Sequence, residues 1–213
     1  MKKSILFIYG PLNGGGAEIV LLDVLRNFDY SKYNVNLLLI VNGGTLFDRI
    51  PKQVNLYSLW DSYSVGYKIA CRLSKWFGID LFIKQRYRRL ALPKADVAIS
   101  FLEGLPLRFH YILQPGVKNI SWVHCDLLKQ HYTKDVFRKG EEIAAYNSMD
   151  EVINVSQDAE IAFLQRFLSL TTVHSVIYNP VDTPNIKTKA LCSNGKIETT
   201  DWIIVVRLTA PKR

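Results

Sequence analysis

Ile5-Leu6-Phe7-Ile8-Tyr9, then Gly10-Pro11-Leu12-Asn13, then Gly14-Gly15-Gly16, then the helix-like stretch from Ala17 to Phe28, set a strand, a glycine loop and a helix in order. A helix N-terminus presents unpaired backbone N–H groups and a partial positive charge. Glycines remove the Cβ atoms that keep an anion at a distance. Such a junction holds a phosphate or diphosphate, or it is a tight turn where backbone passes close to backbone. It is not the dinucleotide fingerprint. With Gly14 and Gly16 as its first pair, G-x-G-x-x-G needs a glycine where Ile19 stands.

Working outward, strand-like runs recur along the chain at Ser4–Tyr9, Val35–Val41, Val54–Leu59, Asp96–Phe101, Asn119–Val123, Glu151–Val155, Val173–Tyr178 and Trp202–Val206. Leu37-Leu38-Leu39-Ile40-Val41 is wholly apolar, as a strand buried on both faces is. Helices are expected at Ala17–Phe28, within Val65–Leu92 with a break near Gly78, at Lys134–Ser148 and at Asp158–Phe167. Ser156 suits the cap of the last, with Asp158 and Glu160 in its first turn. The alternation predicts an α/β, Rossmann-like, doubly wound and mostly parallel sheet with helices on both faces.

The chain has 213 residues, 48% of them hydrophobic and 22% charged, an ordinary globular profile with no apolar run long enough to span a membrane. Gly10-Pro11 breaks the first apolar run, which argues against a signal peptide. Cys71, Cys125 and Cys192 lie far apart and form no C-x-x-C pair. Neither a metal site nor a disulfide framework is expected, and a reducing cytoplasm fits. The net charge of +8 is uneven. Between Ser62 and Lys94 stand eight basic residues, among them Lys84, Arg86, Arg88 and Arg89, against one acid, Asp80. Trp76, Phe77, Leu81 and Phe82 are interleaved with them. This segment reads as a surface for an anionic membrane or as a helix pair with a solvated basic face. Nucleic acid is not the expected partner.

In a doubly wound sheet, ligands sit beyond the carboxyl ends of the strands. Gly14 to Gly16 follow the first strand, Glu103 follows Asp96–Phe101, and His124 and Asp126 follow Asn119–Val123. Their convergence on one crevice is the expected site. From Asn179 to Thr200 the composition turns to Pro, Thr, Lys and Asn, as in a linker. Trp202-Ile203-Ile204-Val205-Val206 then starts a new strand whose crossover the chain does not supply. The expected organisation is a Rossmann-like domain over 1–180, a linker over 181–200, and the first strand of a truncated second domain over 201–213.

Four segments in order carry a family likeness: Gly14-Gly15-Gly16-Ala17-Glu18, Ile120-Ser121-Trp122-Val123-His124, Ile177-Tyr178-Asn179-Pro180-Val181-Asp182, and Val205-Val206-Arg207-Leu208 with Lys212-Arg213. The chain resembles the N-terminal, acceptor-side half of a family 4 glycosyltransferase, a retaining nucleotide-sugar enzyme of the two-domain GT-B fold. The resemblance implies that Gly14, Gly15 and Gly16 lie against the donor diphosphate or close to the acceptor. It implies that His124 faces the transferred sugar, and that Arg207 and Lys212 neutralise the diphosphate leaving group. Glu103 and Asp126 are candidates to bind the acceptor. No cofactor or metal is implied. Val206 stands where family members carry Gly or Ala. The family's paired glutamates would fall beyond Arg213, so the chain by itself is expected to transfer no sugar.

The expected partners are a nucleotide-sugar donor and a glycan or lipid-linked acceptor in polysaccharide biosynthesis. The expected place is the cytoplasm, where the basic segment leaves open a peripheral position on the inner face of the membrane. A non-catalytic, anion-binding Rossmann-like module is the rival. An oxidoreductase fits less well, because Val41-Asn42-Gly43 offers no acid for a ribose at the end of the second strand.

Overall fold

Strands buried on both faces need helices above and below, and these are what the apolar runs receive. The computed structural model describes residues 2–181, 183 and 186–188. In chain order, β1 is Lys3–Tyr9, α1 Gly16–Arg26, β2 Tyr33–Val41, β3 Asn55–Trp60, α2 Val65–Phe77, α3 Leu81–Arg89 and β4 Ala95–Ser100. Then follow α4 Leu105–Leu113, β5 Gly116–Val123, α5 Glu141–Asn147, β6 Glu151–Asn154, α6 Gln157–Arg166 and β7 Val173–Val176. All of these belong to a compact unit that ends at Pro180. A second unit starts at Val181 and lies almost wholly outside the described residues, as does the run Trp202–Val206.

The seven strands form one sheet in the order β3-β2-β1-β4-β5-β6-β7. Every pairing is parallel, with Phe7 opposite Leu37 on one side and Ile99 on the other. The order reverses between β1 and β4, which is the switch point of a doubly wound sheet. Alternation along β1 sorts the core. Ile5, Phe7 and Tyr9 join Leu21, Leu22 and Leu25 of α1 on one face. Leu6 and Ile8 join Ala70 of α2, Ile83 of α3 and Phe109 of α4 on the other. A third cluster unites Val123, Tyr146, Val152 and Phe163 under β5 and β6. Each fully buried Leu, Ile or Phe contributes about 1.5–3 kcal/mol.

Helix ends follow local chemistry. Ser156 accepts the Ala159 N–H at 3.1 Å and starts α6 as its sequence predicts. Gly78 takes φ 68 and ends α2, the expected break in the 65–92 segment. The single helix expected over Lys134–Ser148 is instead a 3-10 turn, Tyr132–Asp135, and the separate α5, because Gly140 sits between them at φ 75. The helix α4 was not foreseen. Its Arg108 and His110 are buried among apolar neighbours, so no polar face marks the helical period.

His110 is fully buried on α4, and its Nε2 meets Asn119 Oδ1 at 2.9 Å, tying the helix to β5. Burial holds its imidazole down at about 4, against 6.5 in the open chain. The unfolded chain therefore binds a proton that the folded chain refuses. This contribution to stability is full above pH 6.5 and is lost as the pH falls from there towards 4, by about 3 kcal/mol in all. Urea unfolding across this window is expected to show the decline, and His110→Gln is expected to flatten it.

Candidate functional site

The loops after β1, β4 and β5 meet in a cleft of about 440 Å³. Tyr9, Gly16, Glu18, Glu103, His124, Cys125, Tyr132 and Asn179 are among its lining residues. A larger hollow of about 740 Å³ lies between α3 and α4. The smaller cleft is the candidate site because it sits at the carboxyl ends of the strands and gathers polar side chains there.

Glu103 is the keystone. It is 2% exposed and makes no ion pair among the described residues. Its Oε2 accepts the backbone N–H of His124 at 2.8 Å, and its Oε1 accepts the Tyr132 hydroxyl at 2.6 Å. A buried carboxylate needs such donors. Both oxygens of the predicted acceptor-binding Glu103 thus hold the loop of His124 in place.

The His124 ring rests against Phe101 at 4.8 Å and lies nearly parallel to Trp122 at 6.2 Å. Its Nε2 is buried with no hydrogen-bond partner among the described residues. Burial lowers the pKa of the imidazole below 6.5, and the nearby Glu103 charge only partly opposes this. Burial thus favours the neutral imidazole over the charged one. Tyr9, at the end of β1, is 1% exposed, and its hydroxyl makes no hydrogen bond of good geometry among the described residues. Burial first, then the Glu18 and Glu103 charges, push its pKa far up, and the same two causes, burial and Glu103, act on Cys125 and Tyr132. All three stay protonated, and the Tyr132 hydroxyl donates to Glu103.

The glycine loop opens α1 with Gly15 as a cap that offers no side chain. Glu18 folds back over it: a methyl placed on Gly15 would collide with Glu18 Oε2. A carboxylate therefore already occupies the position the helix dipole favours for an anion. Among the described residues that line the cleft are two acids and no Lys or Arg. That arrangement suits a hydroxyl-rich, uncharged ligand group better than a bare diphosphate.

The remaining predicted residues fall elsewhere. Asp126 does not line the cleft. Its carboxylate accepts the N–H groups of Leu128 and Lys129 at 3.0 and 2.9 Å and pairs with Lys129 Nζ at 3.2 Å. Arg86 donates to the Leu59 carbonyl at 2.7 Å and lies over Trp60, so it is spent on the sheet edge. Lys84, Arg88 and Arg89 stand exposed on α3. Arg207 and Lys212 lie outside the described residues. Tyr9 and Tyr132 are polar lining residues that the sequence did not single out. Tyr9 carried a signal as the last residue of its strand, whereas Tyr132 sits in a loop with none.

Gly16 gives a direct probe of occupancy. An added methyl there meets nothing within 4 Å, so Gly16→Ala is expected to leave thermal melting unchanged. Gly16 lines the cleft, so for an acceptor bound there, as proposed below, KM is expected to rise about tenfold, a loss of about 1.4 kcal/mol. Steady-state kinetics beside a melting curve checks both.

The sequence matches no protein-family model and no curated protein. Solved structures share its architecture. Anabaena Alr3699/HepE in complex with UDP superposes with a TM-score of 0.56 at 18% identity, over 85% of this chain and 45% of that one. The same protein with UDP-glucose gives 0.53 at 19% identity, over 84% and 44%. The two proteins share a fold. This chain spans less than half the length of HepE, and within that span it has the seven-stranded parallel Rossmann-like sheet described above.

Proposed function

We propose that this chain is the acceptor-side half of a retaining GT-B glycosyltransferase of the family 4 type, moving a sugar, as a hexosyltransferase does, from a nucleotide donor to a glycan or lipid-linked acceptor in polysaccharide biosynthesis. The observation that carries the reading is the switch-point cleft, where Glu103, His124 and Asn179 come together beside the start of α1 at the carboxyl ends of the strands. The likeness of fold to a protein that holds UDP and UDP-glucose supports it.

In this reading His124 lies against the transferred sugar and Glu103 holds it there. The glycine loop, covered by Glu18, lies close to the acceptor. Arg207 and Lys212 neutralise the diphosphate as it departs. Residues 1–180 are the acceptor-side domain, and a second domain supplies most of the nucleotide pocket. The enzyme works at the cytoplasmic face of an anionic membrane. The acidic lining of the cleft disfavours the rival reading of a simple anion-binding module.

A donor screen on the two-domain enzyme tests this, with a lipid-linked saccharide as acceptor and nucleoside diphosphate release as readout. One donor is expected to give acceptor-dependent release, while the 213-residue chain alone gives none. No release from any donor, or robust turnover by the short chain, would overturn the proposal.

A further inference from the structure

α2 faces the core with Tyr67, Ala70, Cys71 and Ser74. Its opposite stripe, Val65, Ile69, Arg72 and Trp76, runs along the solvent side at helical spacing. The apolar members of that stripe are exposed, and the stripe continues through the turn into α3. Trp76 is 69% exposed, Phe77 67% and Leu81 63%, with Ile79 and Phe82 exposed beside them. Five large apolar side chains within seven residues is an uncommon density for a surface.

The charges around this patch have one sign. Lys68, Arg72, Lys84, Arg88 and Arg89 are exposed and make no ion pair among the described residues. Asp80, the one acid between Ser62 and Lys94, has its carboxylate engaged by the Ser74 hydroxyl at 2.5 Å. Lys84 and Arg88, one turn apart, also wall the hollow between α3 and α4, together with Asp80, Tyr111 and Gln114. An apolar wedge ringed by unpaired cations fits the boundary of an anionic bilayer, where Trp and Phe seat among the headgroups and Lys and Arg meet the phosphates. No described helix is long and apolar enough to cross a membrane, so the contact is interfacial.

We infer that the α2–α3 turn is a membrane wedge: Trp76, Phe77, Leu81 and Phe82 insert into an anionic lipid surface, and Lys68, Arg72, Lys84 and Arg88 bind the headgroup phosphates around them. This rests on the membrane association proposed above and specifies its geometry. It also moves the docking role from Arg86, which holds the sheet edge, to the apolar turn.

The test needs no sugar transfer, so its failure is distinct from failure of the enzymatic reading. The 213-residue chain is sedimented with phosphatidylcholine vesicles, with and without phosphatidylglycerol. Binding is expected only with the anionic lipid. The pairs Trp76→Glu with Leu81→Glu, and Lys84→Glu with Arg88→Glu, are each expected to reduce it at least about tenfold. Melting is expected to hold, since these side chains are exposed. Brominated lipid is expected to quench tryptophan fluorescence in the parent protein and not in Trp76→Phe, a readout that survives if a charged variant misfolds. Equal binding to both vesicle types, or unchanged quenching in Trp76→Phe, would overturn the inference. So would a self-associated chain that Trp76→Glu disperses, because a second copy would then be what covers the patch.

Discussion

Replacing Arg108 by alanine is expected to cost about 3–5 kcal/mol of folding stability. Arg108 is 2% exposed, yet it carries a full charge in the middle of α4. Its Nε donates to Glu141 Oε2 at 3.1 Å, and its guanidinium donates to Ser74 Oγ at 2.8 Å. One side chain thereby joins α2, α4 and α5. Glu141 also accepts the Arg138 backbone N–H at 2.8 Å. Burial alone would raise the Glu141 carboxyl, but the Arg138 amide and the Arg108 charge leave it lowered. Removing Arg108 strands that carboxylate, with only the half-exposed Arg138 beside it. The melting temperature is expected to fall by on the order of 10 °C. Replacing both partners, as Arg108→Met with Glu141→Leu, is expected to recover much of the loss, because well-packed apolar groups replace a buried pair at little cost. Urea unfolding of the three proteins decides it. A loss below about 1 kcal/mol in Arg108→Ala would mean that the pair is solvated.

In the proposed glycosyltransferase, His124→Gln is expected to lower kcat by about 10²–10⁴-fold while leaving the fold intact. The magnitude follows from a positioned imidazole acting on protons or hydroxyl groups in the transition state. The fold survives because the His124 loop is held by its backbone N–H, which Glu103 grips whatever the side chain. Because the imidazole pKa lies below 6.5, the parent enzyme is expected to lose activity only on the acid side of that value. The variant is expected to lack that limb. A kcat within threefold of the parent, with the acid limb retained, would assign His124 to packing against Phe101 and Trp122 alone.

The sheet was legible because runs such as Leu37 to Val41 fit only strands covered on both faces. The strand-end rule then brought Gly16, Glu103 and His124 to one cleft. Three features were hidden for physical reasons. α4 buries Arg108 and His110, whose partners Glu141 and Asn119 lie far along the chain, so its helical period is masked. Tyr132 reaches Glu103 across 29 positions through a loop without a pattern. The role of Glu103 was invisible because a carboxylate that binds a ligand and one that anchors a backbone are the same letter. Charge counting found the basic segment between Ser62 and Lys94, but it could not separate Arg86, which bonds the Leu59 carbonyl and lies over Trp60, from neighbours such as Arg88 and Arg89.

The most direct measurement is photolabelling of the two-domain enzyme with a diazirine derivative of whichever nucleotide sugar supports turnover, the reactive group being placed on the sugar. The account predicts covalent label on cleft residues at His124, Cys125 or Gly16, suppressed by excess unlabelled donor. Label confined to residues outside that cleft, with the same competition, would contradict it.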